Sequence, residues 1–585
     1  MALCPDKTID SNVTGLRIAE ERCLGELYPN PRWDALEPNS YSDFGSTITT
    51  VARNPINPSR QRRKGVVTDL EAGGGFTQDV TFDNSNRLLQ GFLFANARER
   101  ATTKSMVLGN LAISDVDAGA KTITFSNRRA NSAVVAAGGT GYSVGDLLTV
   151  DGSADITGVF YVLTVNPATG AVLTVGVDRP GVWATTPANP VATTTGGSGA
   201  GATLTVAYGD INTFVAGDIT LNAGFVNDAN NGIKTVASYA TGVVTTVEAL
   251  TDETPGATAT VETIGHKFAT ADLSVVMNGL LPRITNAAAI DFTDFGFIPG
   301  EWVYIDGFSG NSGFARIGAI DAEYIELDKT DWTPVAEAAA GKTVTMYFGT
   351  IIRNESNPAL IARRSYQLER TLGEDAVGTM SEYLIGAVAS ELTLNIAQAD
   401  KVTADFTFVG TDAQHRDGTE GLKGGDRPSL DLSDAFNTSS DFSRIKMSIA
   451  YPTNPNPVAL FAFVTDLSVT INNNVTPNKA VGRLGAIEMN SGTFEVGGSL
   501  TAYFADIAAV KAVRANADIT LDFIIVKSNT AMIWDIPLLS LGNGRLAVEQ
   551  DTAITLPLDT SAAESKFGNT LLVQVFPYVP NSAVG

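Results

Sequence analysis

The sequence predicts a mainly β chain in which one kind of sheet unit is used more than once, and three observations carry that prediction. The first is period-two alternation in Tyr383–Gly410. Leu392, Leu394 and Ile396 alternate with Thr393 and Asn395, a short polar turn follows, and Phe406, Phe408 and Gly410 come after Val402, Thr403 and Asp405. Such alternation buries one face and wets the other. The second is recurrence. A similar pair runs Leu467–Ile471 then Gly498–Phe504, and a looser one runs Thr47–Val51 then Gly75–Phe82. The third is composition: 56 glycines, with Thr, Val and Ala dominating between turns, favour short strands joined tightly.

A chain of 585 residues is expected to hold roughly three to five domains. At 44% hydrophobic and 18% charged it is globular in composition. Its formal net charge of −23 disfavours nucleic acid as a bound partner, because phosphates are repelled. It does not exclude DNA that passes without sticking. Cys4 and Cys23 are too few for a disulfide framework and read as free thiols in a reducing compartment. MALCPDKTID lacks a basic segment followed by an apolar core, and no apolar run reaches the ~18 residues of a membrane helix. The expectation is a soluble protein made in a cytoplasm.

Taken in order, Thr14–Leu27 reads as a short helix with Leu16, Ile18 and Leu24 as its apolar positions. The Pro-rich YPNPRWDALEPNSYSDF reads as an extended arm, packed either on a neighbouring subunit or back on its own domain. From Ser46 to Phe82 a strand, a long loop and a second strand are expected. The loop concentrates Arg60, Arg62, Arg63 and Lys64. DNSNRLLQGFLFA then gives a helix capped by Asp83 or Ser85, with Leu88, Leu89, Phe92 and Leu93 on one face.

Residues 103–350 interrupt the pattern with a repeat of their own. FVAGDITLNAGF (Phe214–Phe225) aligns without gaps with FIPGEWVYIDGF (Phe297–Phe308), an offset of 83 residues and therefore one small β-domain. Gly138–Gly152 shares only the Val-Gly-Asp core of that signature. It opens a Gly-rich unit that splits the first repeat, since Lys121–Asn127 leads naturally into DINTFVAGD. Loop tips tolerate such insertions. The original pattern resumes near Asn354, passes through a polar loop, and ends in a second sheet unit whose helical stretch is Phe504–Asn516.

Several local patterns imitate chemistry. GSGAG near Ser198 and GKT at Gly341–Thr343 are each followed by a strand, so no helix N-terminus is available for phosphate; both read as turns. His266 and His415 stand far apart, without Cys or Glu at ligand spacing. Asn227–Gly232 has calcium-like oxygens but lacks the glutamate of an EF-hand loop, and reads as an Asn/Gly turn. No metal, no cofactor and no catalytic residue is assigned, and the chain reads as a non-enzyme.

Three blocks then carry a resemblance: LEAGGGFTQDVTFDNSNRLLQGFLFA, RSYQLERTL leading to YLIGAVASELTLNI, and KVTADFTFVG, with the C-terminal duplicate beside them. In that order they resemble the major tail tube proteins of long-tailed (siphovirus-type) bacteriophages, over about half of the chain. The resemblance implies duplicated tail-tube β-sandwich or half-barrel domains, each with a short packing helix, plus inserted small β-barrel or Ig-like domains. It divides the chain into an arm (1–45), a split tube domain (46–102 plus 350–410) and an inserted β-domain (103–131 plus 209–267). A nested Gly-rich insertion (132–208), a second inserted domain (268–349), a linker (411–440) and a second tube domain (441–585) complete the division. It implies self-assembly into stacked rings of three chains with pseudo-sixfold symmetry, or of six, forming a conduit in the virion tail for the genome. The tape measure and other tail proteins would be partners, DNA would pass without specific binding, and the inserted domains would decorate the outside, with at most weak host contact. The loop of Arg60, Arg62, Arg63 and Lys64 is then expected to meet the next ring. Alternation puts Asp405 opposite Val402, which makes it a candidate for the channel lining or equally for a solvated outer position. A second reading is a tail-tip or fibre protein binding host glycans through Trp183, Trp302 and Trp332. A third, an enzyme acting on cell-wall polymer, would need a carboxylate pair that nothing in the sequence marks.

Overall fold

The computed structural model describes residues 13–53, 56, 61, 63–84, 86–106, 108–150, 156–286, 290–374, 377–430, 433–450, 454–461 and 463–581. The chain is built of antiparallel sheets with two short α-helices among the described residues. Its first strand, β1 (Gly15–Cys23), lies where the sequence suggested a helix. The helix-forming Ala, Glu and Arg residues of this stretch are overruled by pairing with Tyr366–Glu374 on one side and Asp34–Leu36 on the other. Leu16 and Ile18 then point into the core at period two. The proline-rich stretch folds back on its own chain: Trp33 is fully buried and stacks edge-on against Tyr383 at 5.7 Å.

The long hairpin β2 (Pro38–Val51) and β3 (Val66–Asp79) follows, then helix α1 (Asn86–Phe92). Three successive glycines in β3 have a steric cause: a Cβ on Gly75 would sit 2.6 Å from the Phe406 carbonyl oxygen and 2.7 Å from Ser42 Oγ. The α1 entry is fixed by reciprocal bonds between Thr81 and Asn84, 3.1 and 3.2 Å. Asp83, one of the two expected caps, binds Lys104 at 2.8 Å instead, and Ser85 lies outside the described residues. Leu88, Leu89 and Phe92 are buried as expected, and the Phe92 ring meets Phe406 and Phe408 at 5.5 and 5.3 Å.

The interrupting block contains two six-stranded units with one pairing order. The first is β4 (Ile113–Asp117), β5 (Thr122–Phe125), β11 (Asp218–Ala223), β12 (Gly232–Ala240), β13 (Val243–Thr246) and β14 (Thr260–Lys267). It is split by a Gly-rich unit with β6 (Arg128–Thr140), β7 (Leu147–Val150), β8 (Gly158–Val165), β9 (Val172–Arg179) and β10 (Ala200–Asp210). The second is β15 (Leu273–Asn278), β16 (Leu281–Asn286), β17 (Trp302–Asp306), β18 (Gly313–Ile320), β19 (Tyr324–Thr330) and β20 (Thr345–Tyr347). In the first, β4 pairs β5, then β13, β12, β11 and β14 in turn. In the second, β15 pairs β16, then β19, β18, β17 and β20. The two units join edge to edge through β14 and β20.

The repeat extends to single atoms. Glu253 accepts from the Val226 and Asn227 N–H groups and from Asn230 Nδ2. Glu337 accepts likewise from Ser309, Gly310 and Asn311 Nδ2. Asp218 and Glu301 close the same turn on the N–H three residues earlier, and so does Asp146 in the Gly-rich unit. The shared Val-Gly-Asp core is therefore a shared turn. The Gly-rich unit leaves and returns through adjacent residues, Arg128 paired with Asp210.

The chain then continues as β21 (Thr350–Arg353), β22 (Tyr366–Glu374), β23 (Thr379–Ala397), β24 (Thr403–Gly410) and β25 (Asp412–Arg416). After the polar loop come β26 (Phe442–Ile449), β27 (Val464–Asn472), the small hairpin β28 (Thr476–Lys479) and β29 (Ala486–Asn490), and β30 (Glu495–Tyr503). Helix α2 (Ala508–Arg514), β31 (Ile519–Lys527), β32 (Thr530–Asn543), β33 (Thr555–Ala562) and β34 (Leu572–Phe576) end it. The polar loop is tied down: Arg427 reaches Glu369 at 2.7 Å, and Lys423 Nζ sits 4.4 Å over the Tyr383 ring.

β31 and β32 are buried on both faces. One face joins the main core with Leu521, Phe523 and Trp534, and the other packs on the second six-stranded unit through Trp302, Tyr304 and Phe314. Two carboxylates on that second face, Asp522 and Asp535, are fully buried. Burial by itself would raise Asp522, but Arg444 and Lys329 hold it at about 2. Asp535 accepts from Arg316 at 3.1 Å and from the Trp302 indole at 3.1 Å, and burial still pushes it above the usual carboxylate range.

Candidate functional site

With the strands in place, one duplication accounts for the whole tube-like half of the chain. β1, β2, β3, α1, β22, β23, β24 and β25 correspond in order to β26, β27, β30, α2, β31, β32, β33 and β34. β2–β3, β3–β24, β24–β23, β23–β22, β23–β25 and β1–β22 pair in the first set. β27–β30, β30–β33, β33–β32, β32–β31, β32–β34 and β26–β31 pair in the second. Gly498 occupies the place of Gly74, and there a Cβ would meet the Ser468 carbonyl oxygen at 2.0 Å. The sequence marked the glycine pairs and the hairpins; the equivalence of β1 and β26 carried no sequence signal.

The two sets are joined by one further pairing. The second half of β23 runs antiparallel to β27, from Glu391 opposite Asn472 to Ala397 opposite Asp466. The equivalent pairing would set the end of β32 against β2. It is not made: among the described residues β2 pairs only with β3, and Gly542 and Asn543 pair only with β33. Leu546 and Val548 just beyond are 41% and 68% exposed. The joined sheet therefore ends in two unsatisfied edges that match the two sides of a seam it already contains.

The sheet has one apolar and one polar face. Phe76, Phe406, Leu392, Leu394, Val469 and Leu500 point to the helices and are buried. The opposite face carries rows in register, such as Thr77, Asp405, Thr393 and Thr470. A second row runs Thr407, Glu391, Asn472 and Glu495. Asp405 lies on this polar face, where its carboxylate accepts from Thr77 Oγ1 and, at 2.8 Å, from Asn395 Nδ2. Glu391, Asp466, Glu495 and Asp559 share the face, and Asp69, Glu71 and Asp79 extend it along β3. No Lys or Arg lies on these strands' polar positions. The cations come from outside: Lys401 pairs Asp79 at 2.7 Å, and Lys479 pairs Asp69 at 2.6 Å.

That last pair lays the β28–β29 hairpin beside β2–β3. Ile48, Val51, Val66 and Val67 on one hairpin and Val481, Leu484 and Ile487 on the other are exposed. Arg63 and Lys64 are exposed beyond the β2–β3 end, whereas Arg60 and Arg62 lie outside the described residues. Thus Asp405 and the basic loop belong to different parts of the unit, the face and the tip.

The histidines and tryptophans that the sequence singled out have structural partners or burial. His266 Nδ1 lies 2.9 Å from Asp218 in a buried pair, and His415 lies 3.3 Å from Glu382. No group of three or more His, Cys, Asp or Glu side chains suited to a metal occurs among the described residues. Trp183 and Trp302 are fully buried, and the half-buried Trp332 donates to Asn311, which removes two of the three expected sugar-stacking platforms. No helix among the described residues is long and apolar enough to cross a membrane.

A family model described as phage tail tube protein matches residues 256–562, more than half of the chain. The chain belongs to the phage tail tube protein family. No curated protein matches it significantly. The matched stretch takes in the second six-stranded unit, the seam between the duplicated sets and most of the second set, and stops before β34. The protein is therefore a structural component of a phage tail, mainly β in architecture and made to assemble into a tube.

Proposed function

We propose that three copies of this chain close into a ring by repeating, between chains, the seam that β23 and β27 make within one. The observation that carries the reading is the duplication of eight elements with one pairing present and its counterpart open. Each chain contributes two quasi-equivalent sets, so three chains give six, and every edge of the inner sheet is then paired. The polar face becomes the channel lining. Its Ser, Thr, Asn and carboxylate side chains offer phosphates repulsion and its strands carry no cation of their own, so the genome passes without being held. Asp405 is a lining residue in this arrangement.

The paired hairpin tips, with Arg63, Lys64 and their neighbours Arg60 and Arg62, meet the next ring, where opposite charge sets register and association rate. The Gly-rich unit and the two six-stranded units lie on the helix side, away from the channel. The inserted units and the second tube domain follow the division proposed from the sequence, while we assign β1 and the start of β2 from the arm (1–45), and β25 from the linker (411–440), to the first tube domain, because they pair with its strands. The second six-stranded unit acts as a buried layer on the second tube domain. No catalytic step is assigned. Negative-stain microscopy of the purified protein tests the reading: stacked rings of three chains around a hole are expected, and isolated elongated particles in which both sheet edges stay open would refute it.

A further inference from the structure

In the first tube-like set, a lysine, an amide and a carboxyl group converge on β1 and β22 in a way the tube role leaves unused. Lys423 Nζ, in the polar loop, donates to Gln367 Oε1 at 2.6 Å. Gln367 is 2% exposed, and its amide nitrogen is turned away to the Gly25 carbonyl at 3.3 Å. Glu21 is 4% exposed and has the Gln367 side chain among its hydrogen-bond partners, with Ser365 Oγ at 2.5 Å and the Gly25 and Gly386 N–H groups at 2.8 and 3.0 Å. The Tyr383 ring covers the amine from one side. Glu369, the other carboxylate here, is engaged by Arg427 and the Tyr383 hydroxyl.

We infer that Lys423 and Gln367 join in an isopeptide bond formed by the protein itself, with Glu21 as the proton carrier. The uncharged amine attacks the Gln367 side-chain carbonyl carbon. A new carbon–nitrogen bond to Nζ forms and the bond to the original amide nitrogen breaks. One amine proton passes through the Glu21 carboxyl to the departing nitrogen, which leaves as ammonia, and Glu21 ends as it began. No oxidant or cofactor enters. Two conditions for the step are present. Burial, with Arg416 adding to it, lowers Lys423 to about 8, so free amine is accessible near neutrality. Burial raises Glu21, only partly offset by Ser365, so the carboxyl can both give and take a proton. The bond would bolt the loop between the two tube-like sets to the first set's sheet, where a tube under tension gains from a covalent tie.

Intact-mass and peptide-level mass spectrometry of the full chain, as soluble protein and as assembled tubes, test this. The expected result is a loss of one ammonia from the sequence mass, together with a branched tryptic species joining Ser365–Arg370 to the segment that starts at Asp417 and is uncut at Lys423. Lys423→Arg and Glu21→Gln are expected to restore the full mass. Separate recovery of Ser365–Arg370 and of a segment cut at Lys423, in both preparations, would overturn the inference and leave the contact as a hydrogen bond. An ammonia loss mapped elsewhere in the chain would overturn it equally. Because the readout is covalent mass, it is independent of whether rings form.

Discussion

If the open edges close on each other, the register of the contact is already written in the chain. Glu391 occupies the row of Gly75 and Thr407, and Gly542 occupies the corresponding row of Ser499 and Asp559. Asn472 faces Glu495 as Thr47 faces Glu71. Since Glu391 pairs Asn472 inside the chain, Gly542 should pair Thr47 of the neighbouring copy. Residues opposed across an antiparallel pair have Cβ atoms about 4.5–5.5 Å apart, close to what a disulfide spans after slight adjustment. A Gly542→Cys, Thr47→Cys double variant should therefore cross-link between chains on mild oxidation. The ladder on a denaturing gel should stop at the covalently closed trimer, and neither single variant should give a disulfide at this seam. The internal seam pairs seven residues from Glu391 to Ala397. A seam of that length offers about seven backbone hydrogen bonds, or roughly 4–10 kcal/mol at ~0.5–1.5 kcal/mol each. That is enough for three seams to hold a ring at micromolar concentration and too much for the contact to be incidental. Glu391→Cys with Asn472→Cys is the control and should give an intrachain bond in the monomer. Assembled rings in which the control links and the Gly542–Thr47 pair does not would refute the register and the argument from duplication.

Three further outcomes are expected. Replacing 129–209 by a short Gly/Ser link should leave a folded, assembling chain, because Arg128 and Asp210 are already paired; loss of ring formation on microscopy would contradict this. Asp522→Ala should cost about 3–5 kcal/mol in denaturant unfolding, since it leaves the buried Lys329 without its carboxylate partner and takes one of two from the half-buried Arg444. Glu262 lines a cavity of about 380 Å³ beside α1, and burial, only partly offset by Lys104, raises its carboxyl to about 7. Its folded value exceeds its unfolded one, so the associated stability is complete below the unfolded value and is lost as pH rises through about 7. Glu262→Gln should flatten that part of the stability–pH curve and, because the side chain is partly exposed, gain about 1–2 kcal/mol at pH 8. An unchanged curve would place the carboxyl in open solvent.

What the sequence made legible was whatever depends on near neighbours along the chain. The alternation of Leu392, Leu394 and Ile396 against Phe406 and Phe408 located a hairpin, and the aligned FVAGDITLNAGF and FIPGEWVYIDGF located a repeat down to the turn carboxylates. The helical reading of Thr14–Leu27 failed for the converse reason. Ala19, Glu20, Glu21 and Arg22 favour a helix locally, and what overrules them is a partner strand some 350 residues away. Glu21 is the telling residue: it lies in the stretch read as a helix, yet it is buried and accepts from the Gly25 and Gly386 backbone N–H groups. Helix-like composition concealed a buried carboxyl.

The seam was hidden in the same way, and the reason bears on how such tubes are encoded. β27 looks from its sequence like half of a hairpin with β30, and it is; its other edge belongs to β23, across the polar loop. Edge-to-edge pairing is made by backbone groups, which are the same in every residue, so side-chain pattern does not specify the partner. What specifies it is shape: the bulges between Ser42 and Gly45 and between Ala389 and Glu391, and the glycines that let strands approach. Here duplication supplies the missing information, because the chain contains one finished copy of the contact that the proposed ring repeats between molecules. A protein with a single set would offer no such template. In the proposed ring the matching edges come first and the polar face follows from them, since a sheet closed with its apolar face under helices turns its Ser, Thr, Asn and carboxylate side chains to the hole.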